Sequence, residues 1–174
     1  EVGMVPAYFM GLKVNSFRQN LRSFFELKKN FFLFESVIKL AHIYNLKKIK
    51  SIIFLNYAPE LNEFLFWCQQ LIAESLGKKN KGILPVISPA PRDHHSLLQL
   101  YLDGPKDKLF YIFNLNLKKK VKTNKNIFGS SFEYAENKKL AKIIEAQEKA
   151  LIKVLTKKKI PFRKFNINEI SEKT

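Results

Sequence analysis

Hydrophobic positions along the chain follow two rhythms. Residues 49–56, 83–87 and 108–115 are nearly unbroken apolar runs, the pattern of strands covered on both faces. A shorter segment, residues 162–167, predicts a last strand with Phe162 or Phe165 inward. Between these runs the apolar residues recur at helical spacing. Residues 59–76 carry Leu61, Phe64, Leu65, Cys68, Leu71 and Ile72 as one stripe, opened by Pro59 and stopped at Gly77. Residues 96–102 predict a short helix. Residues 136–156 predict a long one, with Leu140, Ile143, Ile144, Ala150, Leu151, Val154 and Leu155 on its buried side. Strands alternating with helices over short connections predict an α/β fold: a three-layer α/β/α sandwich around a parallel sheet of four to five strands.

The first 46 residues read as helices leading into this domain, which occupies residues 47–174. Residues 4–11 are apolar nearly all round and predict a short buried helix. Asn15 or Ser16 caps a second, running through Leu27. Asn30 opens a third, with Phe34, Val37, Ile38, Ala41 and a packed His42 on its stripe. Residues 118–126 are the most loop-like stretch of the chain. Residues 168–174 carry the caps and acidic first turn of a helix that does not follow.

Composition narrows the classes. The chain has 174 residues, enough for one domain with a sizeable core, and no apolar run near the ~20 residues that span a bilayer. Its single cysteine, Cys68, excludes an internal disulfide framework, and its place on the helix stripe predicts a buried thiol. No signal-peptide pattern opens the sequence, and a reducing cytoplasm is the expected compartment. The net charge of +16 invites a nucleic-acid reading. That charge is nearly all lysine spread along the chain, with only Arg18, Arg22, Arg92 and Arg163 to supply guanidinium groups. No specific nucleic-acid partner is therefore expected, only weak polyanion binding at low salt.

Two polar blocks carry the candidate chemistry. In the first, Gln70 and Glu74 lie one turn apart on the side opposite the apolar stripe, followed by Ser75, Gly77 and Lys78. An amide and a carboxylate so placed fit plain surface as well as a reactive pair facing a cleft, and the pattern does not choose. In the second block, Asp93, His94, His95, Ser96 and Gln99 precede the turn Asp103-Gly104-Pro105. Adjacent histidines seldom place both rings on one ion, and no third ligand is near in sequence, so no metal site is expected.

The two blocks, Gln-Gln-x-x-x-Glu-Ser-x-Gly-Lys and Asp-x-His-Ser-x-x-Gln-Leu, separated by one strand, resemble the bacterial type of glucose-6-phosphate isomerase. The likeness extends to residues 2–11 and 109–113 in the same order. It implies the second sugar-isomerase (SIS, flavodoxin-like) domain of a longer polypeptide. The earlier domain, with most of the phosphate-binding loop, a Gly-Gly-Arg stretch upstream of Glu1 and a later catalytic lysine would lie outside this sequence. It also implies reversible interconversion of glucose 6-phosphate and fructose 6-phosphate, in glycolysis and gluconeogenesis, with no cofactor. Glu74 would then be the base that shuttles the proton between C2 and C1, His95 the ring-opening residue, and Gln70 a hydrogen-bonding contact to the sugar. His94 stands where the bacterial family commonly has Gln and is read as a conservative polar change. The family histidine reaches the neighbouring subunit's site, so a homodimer is implied. Two rival classes are a non-catalytic sugar-phosphate-binding module on the same fold and a lysine-rich nucleic-acid-binding protein. A full Glu74 motif argues against the first, and unclustered lysines against the second.

Overall fold

The computed structural model describes residues 3–13, 15, 26, 31–115 and 140–170. These fall into two compact units, one within Glu1–Leu46 and the other within Lys47–Ile170. The expected helix through Leu27 and the loop at 118–126 lie outside the described residues.

In the first unit, helix α1 (Met4–Phe9) buries only Ala7, while Tyr8, Phe9 and Met10 are exposed. The expectation of a buried segment is therefore corrected: an apolar sequence supplies no cover of its own. Helix α2 (Phe31–Lys47) forms where expected but is turned about its axis. Leu33, Phe34, Ser36, Leu40, Ile43 and Tyr44 are its half-buried residues, so of the expected stripe Phe34 is covered while Val37, Ile38, Ala41 and His42 are exposed. With apolar residues on most sides, the helical period alone does not fix which side is covered.

The second unit is a parallel sheet. Strands β1 (Ser51–Asn56), β2 (Leu84–Pro89), β3 (Lys108–Leu115) and β4 (Phe162–Ile167) lie in the order β2-β1-β3-β4. Register pairs Ile53 with Val86 and Phe110, and Ile112 with Lys164. A 3₁₀ turn, Pro59–Leu61, leads into α3 (Asn62–Leu76); α4 (Arg92–Ser96) and α5 (Leu98–Asp103) join β2 to β3; and α6 (Leu140–Lys157) precedes β4. The short helix expected at 96–102 is α5, and a further short helix, α4, precedes it; Leu97 separates the two with φ −120°. Among the described residues this is the four-stranded parallel sheet flanked by helices that the apolar runs predict.

Parity along the strands sorts the core. Ile53, Leu55, Tyr57, Phe110 and Ile112 face Tyr101 of α5 and Leu151 and Leu155 of α6. The opposite face holds an aromatic set. Phe113 and Phe165 stack at 4.8 Å, Tyr111 meets Phe165 edge-on at 5.3 Å, and Phe54 contacts both Tyr111 and Phe113. Helix α3 covers less than its stripe promised. Leu61 and Leu65 are buried and Cys68 and Ile72 half-buried, while Phe64 and Leu71 are each 47% exposed. It lies over β2, the edge strand among the described residues, so only the inner part of its apolar arc meets the sheet. Cys68 is half-buried, not buried, and burial pushes its thiol pKa up.

Candidate active site

The two ends of α3 are tied to opposite ends of the sheet. At its start, Asn62 Oδ1 accepts from Asn56 Nδ2 (2.9 Å), and Asn56 Oδ1 accepts from the Ala58 amide (3.0 Å), beyond the C-terminal end of β1. Two turns on, Gln69 Nε2 donates to the Pro85 carbonyl (2.9 Å) near the start of β2. A helix joining two parallel strands must run back this way. Its last turn, with Glu74, therefore sits at the N-terminal edge of the sheet. There Gln70 Nε2 donates to Glu74 Oε1 (3.0 Å), both side chains being exposed. The amide occupies one carboxylate oxygen, and among the described residues Oε2 has no partner. Gly77 closes the helix through its amide to the Ala73 carbonyl (2.9 Å), and a Cβ there would stand 2.5 Å from that oxygen, so the turn requires glycine.

His95 lies at the other edge, on α4, just past the C-terminal end of β2. Asp93 is buried and braced: Ser88 Oγ, itself buried, donates to its Oδ2 (2.8 Å), and Arg92 Nε (3.1 Å) and Ser96 Oγ (3.4 Å) reach its Oδ1. His94 is half-buried, with Nε2 2.7 Å from the hydroxyl of buried Tyr57 and the rings edge to face. Desolvation lowers the His94 pKa, partly offset by Asp93. Burial first, and the Glu148 carboxylate second, raise that of Tyr57. The His95 side chain is exposed and, among the described residues, makes no hydrogen bond.

Gln70 and Glu74 are thus brought together, but Glu74 and His95 are not. Strand β2 runs between their ends, about 17–20 Å for six residues. Neither lines the cavity of about 240 Å³ at the C-terminal edge, which Tyr57, Asn114, Leu115 and Ile144 enclose. Among the described residues no cluster of three His, Cys, Asp or Glu is arranged to hold a metal, and no helix is long and apolar enough to cross a membrane.

One buried cluster escaped the sequence reading. Glu148 of α6 is 0% exposed, accepts a hydrogen bond from Asn114 of β3, and has the Lys164 ammonium of β4 at 2.6 Å from Oε1. That last contact is an ion pair without hydrogen-bond geometry. Glu148 is spaced with Ile144, Leu151 and Leu155 at i−4, i+3 and i+7, a carboxylate inside the apolar stripe. That position was the available signal for burial.

No protein-family profile matches the chain. Among curated proteins it is 33% identical over 183 residues to a glucose-6-phosphate isomerase of Methanocaldococcus jannaschii, covering 98% of this chain and 43% of that protein. The chain is homologous to glucose-6-phosphate isomerases. The same name belongs to a Mycoplasmopsis pulmonis protein, 30% identical over 186 residues (99% of this chain, 42% of the relative). It also belongs to one from Campylobacter jejuni, 36% identical over 114 residues (62% and 27%). The chain spans less than half the length of these glucose-6-phosphate isomerases. In fold it resembles a hypothetical protein of Thermus thermophilus, with a TM-score of 0.75, 23% identity, and coverage of 98% of this chain and 43% of that one.

Proposed function

We propose that this chain supplies the proton-transfer carboxylate of a glucose-6-phosphate isomerase, working within a polypeptide of its relatives' length. The observation that carries the reading is the Gln70–Glu74 hydrogen bond at an exposed sheet edge, in a chain homologous to these isomerases over 98% of its length. Converting an aldose phosphate to a ketose phosphate removes a proton from C2 of the open-chain sugar and delivers it to C1 through an enediolate. Glu74 Oε2 takes and returns that proton, while Gln70 holds Oε1 and so fixes the carboxylate plane. His95 donates a proton to the ring oxygen as the C1–O5 bond breaks, and the C1 hydroxyl gives up its proton to water as the aldehyde forms. Because Glu74 and His95 sit at opposite edges of one sheet, His95 of a second copy completes the site, which makes the active unit a dimer. The phosphate is held by segments beyond this chain, so the isolated chain is inactive. The setting is a cytoplasmic enzyme of glycolysis and gluconeogenesis that needs no cofactor.

The test is Glu74→Gln in the full-length polypeptide carrying this chain. The variant keeps a hydrogen-bonding end but cannot take a proton. Loss of a general base predicts a fall in kcat of at least about 10²–10⁴-fold, with little change in affinity. Exchange of the C2 proton of glucose 6-phosphate with solvent reads the step directly. Exchange at the unmodified rate in Glu74→Gln would remove Glu74 from the reaction.

A further inference from the structure

Among the described residues the His95 side chain has no hydrogen-bond partner, so its direction is inherited from α4. That helix has five residues and no side-chain cap at its N-terminus, far too few for a helix to stand alone in water. Two side-chain pins hold it. Asp93 is bound through Ser88 to β2, and His94 is bound through Tyr57 to the chain just beyond β1. The pins act at consecutive positions about 100° apart around the helix, which leaves the next residue, His95, turned to solvent.

We propose that Tyr57 and His94 form a strut that aims His95, making both positioning residues for ring opening. The proposal rests on the reading of His95 given above. The Ser88–Asp93 pin ties α4 to β2, and the 2.7 Å contact between Tyr57 and His94 ties the helix a second time, across to the chain beyond the neighbouring strand. Tyr57 is 4% exposed and packed within the main core, which gives the strut a firm support. The bond runs in either direction with the imidazole tautomer, and Tyr57→Phe removes both.

The experiment follows the full-length polypeptide carrying this chain, with ring-closed and open-chain glucose 6-phosphate measured separately. Tyr57→Phe should lower kcat on the cyclic form about three- to tenfold, the scale of one lost hydrogen bond, with KM within about twofold. Proton exchange from the open-chain form should be unchanged. His94→Leu should match it, and His94→Gln, which retains a polar end for Tyr57, should restore most of the rate. The double variant Tyr57→Phe/His94→Leu should be no worse than either single one, since both cut the same strut. Additive losses, or equal losses on both sugar forms, would reduce the pair to packing and overturn the proposal. If His95→Ala lowers cyclic turnover and Tyr57→Phe does not, the strut fails. If His95→Ala itself leaves cyclic turnover unchanged, the assignment of His95 fails instead. An arm independent of activity uses the 174-residue chain: amide exchange at His95, Ser96 and Leu97 should quicken in Tyr57→Phe, and unchanged exchange overturns the strut.

Discussion

Replacing Lys164 by Met tests whether the sheet's far edge is held by charge. The change keeps the aliphatic stem but leaves Glu148, 0% exposed, with the Asn114 amide and no cation. Removing one partner of a fully buried pair costs about 3–5 kcal/mol. The Lys164 side chain is 30% exposed, so water reaches the gap and the expected cost drops to about 2–3 kcal/mol. Urea denaturation of both proteins, followed by circular dichroism at pH 7, should show a difference of about 2–3 kcal/mol. In Glu148→Gln/Lys164→Met, where no buried charge is left unpaired, much of that loss should return. Stability of Lys164→Met within about 0.5 kcal/mol of the parent would show that the pair is not a buried counter-charge.

Two further outcomes follow from the same helix. Leu155, 0% exposed in the main core, should cost about 2–5 kcal/mol on change to Ala, and a loss under about 1 kcal/mol would mean that the core between α6 and the sheet is loosely packed. Glu145 is held by hydrogen bonds from Lys149 and then Lys142, which lower its pKa to about 2. Its contribution is complete above the unfolded carboxyl value and is lost as pH falls toward about 2. Carboxyl NMR should find the midpoint there, and one near the ordinary value would show that the lysines do not hold it in solution.

The strands were the most legible part of the chain. Residues 108–115 and 162–167 match β3 and β4 at both ends; for β3 the reason is that a strand covered on both faces leaves a continuous apolar run that turns interrupt abruptly. Helix existence was legible and helix facing less so. Periodicity on α2 and α3 marks an apolar arc, but how much is covered depends on the neighbouring elements; Val37, Phe64 and Leu71 stay exposed for that reason. At the site, the phase that put Gln70 beside Glu74 reproduces their hydrogen bond, since i, i+4 neighbours are set by the helix itself. The contacts of Tyr57 with His94 and of Glu148 with Lys164 join residues far apart in sequence, and nothing local announces them. The placement of Glu74 and His95 at opposite edges was implicit in the strand–helix alternation, which reverses direction between one block and the next.

The β4 segment carries its own check on alignment. Among the described residues it is an edge strand paired with β3 alone, and an edge strand is where register is most easily lost. A slip of one residue turns Phe165 out of its stack with Phe113, even where it brings Arg163 round to face Glu148. A slip of two restores the faces but seats Phe162 or Asn166 where Lys164 belongs, stranding the carboxylate. Stacked rings on one side police odd errors and the ion pair on the other polices even ones. The last strand therefore has a single seat, chosen by two unlike interactions acting together.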